Sequence, residues 1–239
     1  MNPAWADLAD RALQVLTFRG GFNANSVLLG TLLLGVAAGV VGTFIVLRGR
    51  ALISDALSHA TLPGIVLGFL VAAALGLGGR NLPLLLLGAA LSGALGVWLV
   101  QLLTHHTRLT EDTAIGVVLS VSFGLGVALL SYAQTLSVGG QAGLKTFILG
   151  QAAAMSRAEA LAMGALALAA VGLTLLFEKE FALLCFNPEF AQGLGWPVVR
   201  LDLLLSGLTV LVAITGLQTV GLVLVVALLI LPPAAARLW

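Results

Sequence analysis

From Val27 to Leu47 the chain carries no charged side chain, and at about 1.5 Å per residue a helix of that length crosses the roughly 30 Å hydrocarbon layer of a bilayer. In hydrocarbon the backbone must pair within its own segment, so helix is the form open to this run. The pattern then repeats. Apolar stretches extend from about Ala51 to Leu77, Leu84 to Leu103, Thr113 to Leu136 and Ala158 to Phe177, and Leu201 to Ala236 is long enough for two more. Charged or turn-forming residues divide them: Arg48 and Arg50, Arg80-Asn81-Pro83, the Thr104–Asp112 loop, and the charged segment Glu178–Arg200. The expectation is an all-α, polytopic transmembrane helix bundle of about seven spans, with residues 1–239 forming one membrane domain. Charged residues make up 9% of the chain, against about 25% in soluble domains, which excludes a soluble globular protein. The basic residues stand singly, so no nucleic-acid surface is expected.

Several local expectations follow. Residues 1–20 place Trp5, Leu8, Ala12 and Leu16 on one helical face and Asp7, Asp10, Arg11 and Gln14 on the other, the pattern of a helix lying in the interface. Gly30, Gly35, Gly39 and Gly42 predict close helix contacts along the first span. Ser137–Arg157 is too broken to cross and reads as a surface or re-entrant segment. The stretch Thr215-Gly216-Leu217-Gln218-Thr219 is the expected tight turn between the last two spans. Asn187 followed by Pro188 predicts a capped short helix ending at Gly193 or Gly195. Thr110, ahead of Glu111 and Asp112, predicts another helix start, with acids favoured near the N-terminus. His105 and His106 read as loop residues, Glu159 as a solvated carboxylate and Cys185 as a small apolar filler.

One stretch breaks the apolar pattern from within. Ser54–Gly64, SDALSHATLPG, places an acid and an imidazole inside the second span. Asp55 and His59 are i and i+4, so both side chains leave the same helical face one turn apart. Ser54, Ser58 and Thr61 are read as a polar stripe along that side, and Pro63 removes the donor that the His59 carbonyl would otherwise meet. From Arg50 to His59 is about 13 Å along a helix, which puts the imidazole inside the hydrocarbon. An ionisable pair there is costly enough that function is the first expectation. Asp and His suit a borderline divalent metal such as zinc or manganese. A proton relay would use the same pair, and so would a polar network that serves only assembly.

The basic residues also orient the chain. Arg48 and Arg50, then His105, His106 and Arg108, then Lys179 and Arg200 fall in alternate loops, which are expected on the cytoplasmic side. The Asn187 helix then faces the cytosol. No GxxxxGK[ST] phosphate-binding loop occurs in the sequence, so nucleotide hydrolysis would fall to a partner and the chain itself is not expected to be an enzyme.

Four segments carry a resemblance. LRGRALISDALSHATLPGIVLG (Leu47–Gly68), EDTAIG (Glu111–Gly116), FNPEFAQGLG (Phe186–Gly195) and GLVLVVALLILPPAAARL (Gly221–Leu238) resemble the permease family of bacterial zinc and manganese ABC importers. The resemblance implies a type II importer-like fold in the bacterial cytoplasmic membrane and a homodimer with the path between two copies. It also implies a cytosolic ABC ATPase dimer carrying the ATP, and an extracytoplasmic metal-binding protein that delivers Mn2+ or Zn2+ as cargo, with no permanently bound cofactor. By the same resemblance Asp55 and His59 match the metal positions. Asn187, Pro188, Glu189 and Gly195, within 187–195, match the coupling helix that engages the ATPase. The family often has an acid where this chain has Asn187. Its members continue through a further span and a tail, so a terminal span is expected to be missing here and the family's count to be eight. The readings that compete are a siderophore or metal-chelate ABC permease and a proton-linked secondary carrier using Asp55 and His59.

Overall fold

The structure, a computed structural model, describes residues 22–77, 81–136 and 156–238, together with positions 14, 17, 19 and 150. The expected interfacial helix over 1–20 and the surface segment over 137–157 fall almost wholly outside the described residues. The described residues form α1 (Phe22–Leu47), α2 (Ala51–Ala74), α3 (Leu82–His106), α4 (Glu111–Thr135), α5 (Arg157–Leu176), α6 (Glu178–Phe186), α7 (Pro188–Gly193), α8 (Val198–Val220) and α9 (Leu222–Arg237). Six of these are long and apolar enough to cross a membrane. The seventh expected crossing, α9, has 16 residues and so reaches about 24 Å at 1.5 Å per residue, short of the hydrocarbon thickness.

The helices start and stop where local chemistry directs. Gly49, at φ 74, makes the left-handed turn between α1 and α2, a conformation that costs glycine little. Asn81 caps α3 by accepting the Leu84 amide at 3.3 Å. Thr110 is the N-cap residue of α4, with Glu111 and Asp112 in its first turn. Its hydroxyl, however, pairs with Thr113 Oγ1 at 2.7 Å and not with a backbone amide. Glu159 is not simply solvated: with Ser156 it closes a capping box, the Ser156 amide donating to Glu159 Oε2 at 2.7 Å.

The turn expected at Thr215–Thr219 lies elsewhere. α8 runs unbroken through those residues, and the chain reverses at Gly221, at φ 82. Thr215 and Thr219 return their hydroxyls to their own helix, to the Leu211 and Gly216 carbonyls. Gly216 meets Val225 of α9 where a side chain would stand. Here a glycine flanked by hydroxyls marks a packing site, because in an apolar helix the hydroxyls satisfy themselves on the preceding turn.

α2 is the centre of the bundle: 72% of its span is buried, against 22% for α4. Its seam with α3 is glycine on backbone. A Cβ at Gly64 would strike the Gly88 carbonyl, one at Gly68 the Leu84 carbonyl, and one at Gly88 the Gly64 carbonyl. Small residues four apart let the two helices approach at backbone distance, the usual device for association without a hydrophobic driving force. α4 lies on the other side, with Gly126 against Leu62 and Pro63. Of the α1 glycines expected at close contacts, Gly42 meets the Leu229 backbone of α9, whereas Gly35 and Gly39 face open space. Leu87, Leu91, Leu95 and Trp98 of α3 are exposed and form an apolar face suited to lipid.

Candidate functional site

Asp55 and His59 occupy the second and third turns of α2. His59 Nε2 lies 3.4 Å from Asp55 Oδ1, and the two side chains are 19% and 38% exposed respectively. His59 Nδ1 is buried without a hydrogen-bond partner among the described residues, so the ring is not held as an ordinary core histidine would be. Pro63 sits within the continuous α2 and brings no amide to the His59 carbonyl.

The hydroxyl stripe is not part of this group. Ser54, Ser58 and Thr61 are fully buried, and their hydroxyls donate to the carbonyls of Ala51, Ser54 and Ser58 at 2.7–2.8 Å. The physical reason is angular: at about 100° per residue their mean direction stands nearly a third of a turn from that of Asp55 and His59. They point into the bundle, and the ionisable pair points along its side. The neighbour that sequence spacing does not reveal is Phe123 of α4, whose ring meets the imidazole edge-on at 5.0 Å between centroids and 83°. His59, Leu62 and Phe123, with residues 220–224 and Ala227, line a cavity of about 540 Å³. Among the described residues of that lining His59 is the one ionisable group, and the turn at Gly221 contributes to the wall.

Among the described residues no three His, Cys, Asp or Glu side chains gather to hold a metal ion. Among those residues Asp55 and His59 stand as a pair without a third such side chain. His105 and His106 end α3 as exposed residues and join neither that site nor each other.

The charged segment after α5 folds as an elbow of two short helices, α6 and α7. The expected cap is present: Asn187 Oδ1 accepts the Phe190 amide at 2.9 Å, with Pro188 at the first helical position and α7 ending at Gly193. Gly195, at φ 86, turns the chain toward α8. Phe186, Phe190, Leu194 and Trp196 are 81%, 56%, 59% and 41% exposed, and Glu189 is exposed beside them. Asn187→Ala is expected to cost about 1 kcal/mol of local stability. Hydrogen exchange at the Phe190 amide measures it, and unchanged protection would remove the cap from the account.

A second constellation lies where the ends of α1, α2, α4 and α8 meet. Arg50 pairs with Glu111 and with Asp202. Arg48 lies 3.5 Å from Asp202 and donates from Nη1 to the Leu184 carbonyl of α6 at 2.8 Å. Burial works against the Arg50 charge, but the hydrogen bond and field of Asp202, then Glu111, outweigh it and raise its pKa. In the sequence Arg48 and Arg50 divide two spans, Glu111 belongs to a helix start and Asp202 lies some ninety residues further on, so their meeting is not visible there. Beside them, Cys185 holds its Sγ 3.5 Å from the Phe44 carbonyl. Burial pushes that thiol's pKa up, with Arg48 pulling the other way, in keeping with an unreactive filler.

Comparison with known proteins narrows what such a bundle is. The model of the ABC 3 transport family matches residues 23–239. MntC of Bacillus subtilis, a manganese transport system membrane protein, is 46% identical over 91% of this chain and 49% of its own length. TroC of Treponema pallidum, a zinc transport system membrane protein, is 41% identical over 91% of this chain and 72% of its own. The chain thus spans about half the length of the first relative and under three quarters of the second. The solved structure of PsaBC from Streptococcus pneumoniae in complex with Fab superposes with a TM-score of 0.78 at 29% identity, over 97% of this chain and 77% of that one. An inward-facing transporter assigned to the metal-chelate ABC type, 18% identical, superposes at 0.61 over 90% and 75% of the two chains, which speaks for the fold alone. A bundle of apolar helices around an α2 that carries Asp55 and His59, matched by that family's model from residue 23 to residue 239, is a polytopic membrane protein of the ABC 3 transport family.

Proposed function

We propose that the chain is the permease subunit of an ATP-driven importer that carries a divalent transition metal ion, Mn2+ or Zn2+, across the bacterial cytoplasmic membrane by alternating access. The observation that carries the reading is the spacing of Asp55 and His59. Two ligands each about 2.1 Å from a tetrahedral metal stand about 3.4 Å apart, and Asp55 Oδ1 and His59 Nε2 are 3.4 Å apart. Two ligands hold a metal loosely. A second copy of the chain would complete four, and a site assembled from two halves releases its ion when the halves part.

The nucleotide is handled elsewhere. The exposed Phe186, Phe190, Leu194 and Trp196 around the Asn187–Gly195 turn make an apolar patch of the kind that docks a partner. A cytosolic ABC ATPase dimer is its proposed occupant, with Asn187 and Pro188 setting the helix, Gly195 its exit and Glu189 contributing charge. Metal would reach the outer face from an extracytoplasmic binding protein. A metal-chelate cargo draws support from the cavity at His59, whose volume of about 540 Å³ lies in the range of small-molecule sites.

Uptake of free Mn2+, free Zn2+ and a ferric siderophore, in cells depleted of each and complemented with the chain, tests these readings. Free-ion uptake lost on ATP depletion is the expected result. Uptake that persists without ATP and follows the proton gradient would overturn it in favour of a secondary carrier, and uptake of the chelate alone would move the cargo. Separately, Glu189→Lys with Phe190→Ala is expected to abolish copurification of the ATPase. Undiminished copurification would detach α7 from that role.

A further inference from the structure

The four charged side chains at the junction of α1, α2, α4 and α8 have no place in either the metal site or the α7 patch, yet they adjoin the start of α2 and, through Arg48, hold α6 next to α7. Asp202 stands in the first turns of α8, directly after the elbow. Its Oδ1 takes Arg50, which immediately precedes α2, and also faces Arg48 at 3.5 Å. Arg48 in turn holds the Leu184 carbonyl of α6, on the other arm of the elbow. Arg50 reaches across to Glu111 at the start of α4, the helix whose Phe123 packs on the imidazole. Arg50 is five residues before Asp55, about 7.5 Å along a helix.

The pairing has slack in it. One carboxylate oxygen serves two guanidiniums, and Arg48 Nε is buried without a partner among the described residues. Arg50, Glu111, Asp202 and His105 are among the residues that line a cavity of about 70 Å³, which leaves space beside the charged groups. A purely static seam would be served as well by apolar side chains, since buried ion pairs contribute little net stability. What ion pairs do supply is a choice between discrete arrangements.

We infer that Arg48, Arg50, Glu111 and Asp202 form a transmission joint, in which movement of the α6–α7 elbow re-pairs Asp202 between Arg48 and Arg50 and so shifts α2 and its Asp55–His59 site. The inference rests on the functions proposed above for α7 and for that site. Displacing the elbow moves Asp202 and the Leu184 carbonyl together, because both flank α7 in the chain. Strengthening the Arg48 contact at the expense of Arg50 frees the start of α2. Glu111 then retains Arg50, so the guanidinium is never left without a carboxylate, and α4 is carried with α2.

The test uses the chain with its ATPase in proteoliposomes and Mn2+ as the probe, reading Mn2+ binding and the number of ions moved per ATP hydrolysed. Asp202→Asn is expected to lower ions per ATP by about tenfold while leaving Mn2+ affinity within about twofold, in the range of known coupling between sites. Asp202→Glu, which restores the charge, is expected to recover most of the loss. An unchanged ratio in Asp202→Asn overturns the joint, as does a loss of Mn2+ affinity that accounts for the loss of transport. If Asp202→Asn does not assemble, Glu111→Gln, which leaves the pairs with Asp202 intact, is read by the same criteria. Failure of both to assemble makes the cluster a structural seam and also overturns the joint. The reading of the metal site fails separately, if Asp55→Ala binds Mn2+ as wild type does, and that result leaves the coupling ratio to be judged on its own.

Discussion

Metal uptake is expected to fall by about a hundredfold or more in His59→Ala, with the complex still assembled, because replacing even a group that merely supports a metal ligand costs about 10–100-fold. In the proposed site the imidazole is one of two ligands, and its removal leaves Asp55 without the ring nitrogen 3.4 Å away. Asp55→Ala is expected to be at least as severe, since the carboxylate also offsets the charge of the cation in a medium that screens poorly. Both variants should fold. Asp55 and His59 are partly exposed, Asp55 has no other salt-bridge partner among the described residues, and the close seam of α2 with α3 runs through Gly64 and Gly68 on the opposite face, so that His59→Ala gives up an edge contact with Phe123 and leaves that seam intact. Uptake assays paired with size-exclusion profiles of the purified complex decide the matter. Near-normal uptake in either variant would end the metal-site proposal, and loss of assembly in step with uptake would support the purely structural reading.

The second large effect concerns the seam between α2 and α3. Gly64→Leu is expected to prevent recovery of folded, monodisperse protein. Overpacking ordinarily costs about 1–3 kcal/mol because neighbouring side chains can yield, but at Gly64 the neighbour is the Gly88 carbonyl, and backbone has nowhere to go. The helices would have to separate, undoing the contacts of Gly68 with Leu84 in the same seam. Gly35→Leu in α1 is the matched control, since a Cβ there meets nothing among the described residues and the substitution favours helix. Fluorescence-detected gel filtration of the two variants is the measurement. Equal yields would mean that the glycines of α2 do not set the interhelical distance.

Features set by neighbouring residues are legible in the sequence, and those set by distant helices are not. The capped helix at Asn187, the start of α4 at Thr110 and the i, i+4 pair at Asp55 and His59 depend on residues within one or two turns of each other, and the structure places each where the spacing puts it. The failures involve choices that a local pattern leaves open. Gly216 could turn the chain or receive a neighbouring helix, and only the presence of Val225 opposite decides for packing. The hydroxyls of Ser54, Ser58 and Thr61 could face the ionisable pair or return to their own carbonyls, and the burial of that side decides for the latter. Gly35 and Gly39 lie on a face of α1 that no neighbour among the described residues covers, although their composition alone is that of a packing seam.

Membrane residence, helical class and the existence of a carboxylate–imidazole pair within a span were settled by the order of residues alone. Hydrocarbon admits few forms of backbone, and helical periodicity places i and i+4 together without reference to anything else. That His59 faces Phe123 and the Gly221 turn across a cavity, and that Arg50 finds Glu111 and Asp202 from helices far along the chain, only the tertiary structure decided. Those contacts depend on the rotation and separation of whole helices, which are set by backbone-close seams such as Gly64 on Gly88, where the critical information is the absence of a side chain.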